Sequence, residues 1–148
     1  MRLMHRSKLL ILALWIGACS SATAPTAPDA TPVAPGPLPL AGSGVAGNFV
    51  GVGHVGRGSV RFTVQNGVGR LDFSADFAVS EVPGPFVYLN TTNNANTGRP
   101  LRVAALKSNT GAQTYAFQLP SGVSYTFVLI WCDPFNVPVA EAAIPPPP

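Results

Sequence analysis

The sequence predicts an all-β fold, a single antiparallel β-sandwich or barrel-like domain. Two observations carry that expectation. Short runs with period-two alternation of apolar and polar residues recur between Gly-, Pro- and Asn-rich breaks, and helical periodicity is absent beyond the first 18 residues. Near the C-terminus, Tyr125-Thr126-Phe127-Val128-Leu129-Ile130-Trp131-Cys132 is apolar on both faces, as a strand central to a sandwich or barrel must be.

The first segment, residues 1–18, is expected to be a leader that stands outside the fold. Arg2, Arg6 and Lys8 precede the apolar run Leu9–Ala18, the layout of a secretory leader. The ten residues of that run are too few for a hydrocarbon core that needs about 20. Its removal would change the charge of the chain, because three of the nine basic residues lie in it and none of the six acidic ones do. The remaining chain is formally neutral, without a basic patch to hold a phosphate backbone, which argues against nucleic acid as a partner. Residues 19–41 are almost all Ala, Pro, Thr and Ser, with Asp29 as the single charge. Such a composition buries too little apolar surface to fold by itself, and its prolines predict an extended, semi-stiff tether.

The folded domain is expected over 42–144, followed by a proline tail at 145–148. Val60-Arg61-Phe62-Thr63-Val64 alternates, Asn66-Gly67 suits a tight hairpin turn, and Leu71-Asp72-Phe73-Ser74 alternates again, so 59–75 reads as a hairpin. Pro-Gly-Pro at 83–85 precedes the strand Phe86–Leu89, and residues 90–98 form a polar loop. The runs at 103–106 and 115–119 flank Ser108-Asn109-Thr110-Gly111-Ala112-Gln113, which predicts a second hairpin.

Two resemblances add function. Ile16-Gly17-Ala18-Cys19 resembles the lipobox of bacterial lipoproteins, in which the cysteine is acylated after cleavage before it. The resemblance implies lipidation of Cys19, export, and anchorage to a membrane of the bacterial cell envelope. Ser20 and Ser21 follow without an acidic residue, which favours the outer membrane over the inner. The alternative is an ordinary secreted chain cut after Ala18 or Ala22, with Cys19 incidental.

The second resemblance runs from about Gly47 to Ile144. It begins at Gly47-Asn48-Phe49, with His54 and Gly58-Ser59-Val60 following, and continues through Leu71-Asp72-Phe73 and Pro85-Phe86-Val87-Tyr88-Leu89. It takes in the segment from Leu106 to Tyr115 and closes on Val128-Leu129-Ile130-Trp131-Cys132-Asp133-Pro134-Phe135-Asn136-Val137. This ordered set resembles the DM-thirteen domain, a module associated with electron transfer and often found beside DOMON domains. The family usually carries an acidic residue where this chain has Phe86. The resemblance implies redox chemistry centred on the cysteine, Cys132, and an unidentified redox or envelope protein as partner.

Cys132 is thus the main candidate residue. With Cys19 acylated it has no partner in the chain, and an odd thiol in an exported protein points to reactivity or an intermolecular bond. Its alternative role is that of a small hydrophobe in the core, and the whole domain would then be a non-catalytic binding or adhesion module. Alternation sets Cys132 on one face with Val128 and Ile130, and Phe127, Leu129 and Trp131 on the other. His54 is the one histidine after the leader, in a glycine-dense loop. It is a weak candidate for cofactor binding beside Cys132, since a metal or haem site wants more ligands than these two. No cofactor is demanded by the sequence, and no metal set is assigned.

The machinery of a conventional enzyme is missing. Among Asp72, Asp76, Glu81, Asp133 and Glu141, the close pair Asp72 and Asp76 would share a strand face about 13 Å apart, too far for joint work on one bond. Asn90-Thr91-Thr92 matches a glycosylation sequon and reads as plain loop composition.

Overall fold

The computed structural model describes residues 23–34 and 44–145. The segment expected as a leader (1–18), Cys19 and the end of the proline tail lie outside them. The strands are β1 (Val45–Gly51), β2 (Gly56–Arg57), β3 (Ser59–Gln65), β4 (Val68–Phe73), β5 (Ala78–Val79), β6 (Pro85–Asn90), β7 (Leu101–Ala105), β8 (Gln113–Gln118), β9 (Phe127–Cys132) and β10 (Val137–Ala143). A single 3-10 turn, Asp133–Phe135, separates the last two. The chain is all-β among the described residues.

Eight strands form one antiparallel sheet in the order β7-β6-β9-β10-β1-β3-β4-β8, nearly closed into a barrel, with β2 and β5 paired beside it. The expected hairpin at 59–75 is present: Gln65 pairs with Val68 across Asn66 and Gly67, whose φ values of 53° and 77° are those of a type I′ turn. The long apolar run forms β9, bonded to β6 on one side and β10 on the other. It is apolar on both faces because both are covered. Val128, Ile130 and Cys132 point into the main core, while Leu129 and Trp131 join Tyr88 and Ala95 in a second cluster outside. The main core includes an aromatic knot of Phe49, Phe73, Phe77 and Tyr115, with ring centroids 4.7 to 5.4 Å apart.

The second hairpin is corrected. β7 and β8 do not pair as a hairpin; β7 bonds β6, β8 bonds β4, and the two stand at opposite ends of the sheet order. The connection between them is held elsewhere. The Val79 amide donates to Asn109 O, the Gly111 amide donates to Phe77 O, and Thr110 bridges Ala78. Backbone groups spent on the β5 region are not available to close a tight turn.

The seam this leaves is filled from an unexpected source. Residues 28–33, read in the sequence as spacer, run between the two edges. On the β7 side, the Ala30 amide donates to Arg102 O (2.7 Å) and the Arg102 amide donates to Pro28 O (2.9 Å). On the β8 side, the Val33 and Gln118 amides donate to Ala116 O and Thr31 O, both at 2.9 Å. Ala30 is buried. Proline suits this strap because Pro28 and Pro32 stand where no amide hydrogen is required.

Candidate functional site

Cys132 is the last residue of β9 and only 1 % exposed. Pairing of β9 with β6 sets it opposite Pro85, and its Sγ donates to Pro83 O at 3.1 Å. The covering turn is thin, since Pro83 and Gly84 are both exposed. Gly84 adopts φ 53°, and a Cβ there would stand 2.9 Å from Pro134 Cγ, so glycine is what lets the turn lie flat on the 3-10 segment. The Asp133 amide fastens the turn from the other side by donating to Gly84 O (3.3 Å).

Asp133 itself is buried, and its carboxylate turns to the outer cluster. Tyr88 Oη donates to one oxygen at 2.7 Å, and Arg102 Nε donates to the other at 2.8 Å. Arg102 also donates from Nη1 to Asp29 of the strap at 3.0 Å and lies over the Phe86 ring, 3.3 Å from its centroid. Burial, followed by the hydrogen bond and charge of Asp133, pushes the Tyr88 phenol far above its ordinary range. Tyr88 is therefore a fixed neutral donor that satisfies a carboxylate otherwise costly to bury.

The outer cluster is closed by two asparagines. Trp131 Nε1 donates to Asn136 Oδ1 at 3.0 Å, and Asn96 Nδ2 donates to the same oxygen at 3.0 Å. Asn136 adopts φ 51°, the left-handed conformation that ends the 3-10 turn and that asparagine tolerates. Asn90 is fully buried, and its Nδ2 donates to Asn94 O (2.7 Å) and Thr97 O (2.9 Å). The sequon asparagine is thus a loop anchor with both amide hydrogens used inside the fold. A cleft of about 450 Å³ opens beyond this loop, lined among others by Thr26, Pro28, Arg99, Val123 and Tyr125.

His54 is exposed in the loop after β1, whereas Cys132 is buried at the end of β9. No contact between the two is seen, and no cluster of three or more His, Cys, Asp or Glu suited to a metal occurs among the described residues. Asp72 belongs to a largely buried pair, accepting from Arg70 Nε (2.8 Å) and from Thr114 Oγ1 (2.7 Å). Burial raises its pKa, but the bonds from Arg70 and Thr114 outweigh that and hold the carboxyl below its usual range. Asp133 is engaged with Tyr88 and Arg102 instead of a second carboxylate.

Sequence reasoning missed Tyr88, Arg102 and Asp29 as one network. A signal was present: an aspartate directly after the apolar run of β9 needs partners if it is buried. The partners themselves come from β6, β7 and the strap, far apart in the chain.

A family model described as "Electron transfer DM13" matches residues 48–144. No curated protein and no solved structure matches the chain.

Proposed function

We propose, for a chain that belongs to the electron-transfer DM13 family, that it serves as a redox module of the bacterial envelope, anchored by lipid on Cys19 and exchanging electrons through Cys132. The observation that carries this reading is the placement of the thiol, 3.1 Å from Pro83 O beneath an exposed two-residue turn. Displacement of Pro83 and Gly84 is the movement that would uncover the sulfur, since the Pro83 carbonyl is its hydrogen-bond partner and both residues are exposed. Phe135, 59 % exposed on the adjoining 3-10 turn, offers a partner an apolar contact at the same end.

The chemistry that suits a single thiol is exchange with a protein disulfide. The thiol proton passes to water, and the thiolate attacks one sulfur of the partner's S–S bond. A Cys132–partner disulfide forms, the partner bond breaks, and the departing thiolate takes up a proton. The Cys132 sulfur is oxidised and the departing sulfur reduced, so atoms and electrons balance. The Asp133 charge is occupied by Arg102 and Tyr88, not directed at the thiol.

The test is reaction of Cys132 with an aromatic disulfide reagent in the Cys19→Ser chain, native and unfolded. Native reaction, abolished in Cys132→Ser, is expected; a thiol silent until the protein unfolds overturns the redox reading. The same Cys19→Ser change should release the protein from membranes, and continued membrane association defeats the anchor. A visible spectrum of the purified protein checks for bound haem.

One observation favours a second reading. Cys132 packs in the same cluster as Val128 and Ile130 and is 1 % exposed. If it is packing alone, the head is an envelope binding or adhesion module, and Cys132→Ala retains every function while losing stability of about 1 kcal/mol.

A further inference from the structure

The strap is the weakest closure in the barrel. Neighbouring strands share continuous ladders, whereas residues 28–33 make four backbone bonds to two different edges and bury one small side chain, Ala30. The ion pair to Arg102 adds little by itself, because the Asp29 side chain is 69 % exposed. Segments held this lightly open before the rest of a fold.

We propose that the β7–β8 seam is an acceptor for one extended strand, filled here by residues 28–33, and that its occupancy keeps the turn over Cys132 shut. This rests on the reading of Cys132 as the reactive group only for its biological use; the gate itself is a structural claim. A continuous chain of contacts joins seam to turn. Asp29 and the strap backbone hold Arg102, Arg102 holds Asp133, and the Asp133 amide holds Gly84 beside the Pro83 carbonyl that receives the thiol.

When the strap leaves, the Arg102 amide and carbonyl lose their partners on a five-residue edge strand. An edge so exposed frays, and Arg102 goes with it. The buried Asp133 carboxylate then lacks its cation, a state that favours moving residues 133–135 toward water. That movement draws the Gly84 carbonyl from its donor and lifts the turn off the sulfur. The seam selects its occupant by chemistry: a small residue at the position of Ala30, a carboxylate at that of Asp29, and proline tolerated where no donor is needed. Pull on the N-terminal segment, or a competing strand of that chemistry, would open the thiol.

The test uses the Cys19→Ser chain, in which Cys132 is the single thiol. Ala30→Asp places a charge in the buried strap position, and Asp29→Asn removes only the exposed ion pair. Hydrogen exchange at the Arg102 and Gln118 amides reports the seam; the rate with an aromatic disulfide reagent reports the turn. Ala30→Asp is expected to expose both amides and to speed the thiol reaction about 10-fold, and Asp29→Asn about 2-fold, as shifts in an opening equilibrium. An excess of peptide with the sequence of residues 23–34 should restore protection and the slow rate, which separates eviction of the strap from misfolding. Faster exchange at the seam with an unchanged thiol rate overturns the gate, and so does a thiol silent in all three chains. A gated thiol that reacts with the small reagent but exchanges with no protein disulfide supports the gate and defeats the redox reading.

Discussion

Replacing Arg102 with Ala should be costly for a partly exposed polar residue, and for an electrostatic reason. The side chain of Asp133 is 8 % exposed, and its oxygen lies 2.8 Å from Arg102 Nε. Removing one member of a buried pair leaves an uncompensated charge and typically costs about 3–5 kcal/mol. The Arg102 side chain is 26 % exposed, so water reaches the vacated site and reduces the expected loss. About 2–3 kcal/mol is the expectation, equivalent to a fall in Tm of roughly 10–20 °C for a domain of this size. Urea unfolding followed by circular dichroism measures it. The same change in an Asp133→Asn background separates the charge from packing on Phe86 and from the exposed Asp29 pair, which together account for about 1 kcal/mol. Equal losses in the two backgrounds, or a loss below about 0.5 kcal/mol in the first, would refute the argument that Arg102 serves as counter-ion to a buried carboxylate.

Three further outcomes follow from the same structure. Asp72 has a folded pKa depressed below its unfolded value, so its stabilisation is complete above the unfolded value near 3.9 and disappears as pH falls through the folded one; Asp72→Asn should flatten the acid limb of a stability–pH profile, and an unchanged limb would contradict this. Burial pushes the Tyr115 phenol up to about 12, so the unfolded chain ionises first and stability falls as pH rises from about 10 toward 12; ultraviolet titration of Tyr115→Phe against the parent should show one late-ionising phenol fewer. Gly67 at φ 77° completes the type I′ turn, and Gly67→Ala should cost about 1–2 kcal/mol in denaturant titration with an unchanged m-value.

Local pattern was enough for several elements. Asn66-Gly67 specifies its turn because few dipeptides accept positive φ at both positions, and the strands on either side need no distant partner to be recognised. The run 125–132 showed its central position because only a strand covered on both sides remains apolar on both faces. The resemblance over 47–144 likewise named the family that the match at 48–144 establishes. The second hairpin failed for a definite reason: alternation says that a segment is a strand but not which strand it joins. Asn109, Thr110 and Gly111 bond to Phe77, Ala78 and Val79, contacts between segments some 30 residues apart.

The candidate site divides along the same line. Cys132 could be singled out from the sequence, and its face of β9 followed from alternation. The turn over its sulfur, and the Tyr88–Asp133–Arg102 network behind it, could not, because each partner is supplied by a different strand. The strap was hidden most completely. Its composition is that of an unfolded linker, since Ala, Pro and Thr bury too little to order themselves, yet two strand edges with unpaired amides and carbonyls give its backbone partners. The sequence by itself determined an all-β chain with one thiol at the end of its longest apolar strand run. Tertiary structure alone decided which edges remain open, which segment closes them, and what covers the thiol, because backbone hydrogen bonds carry no side-chain identity for a sequence to display.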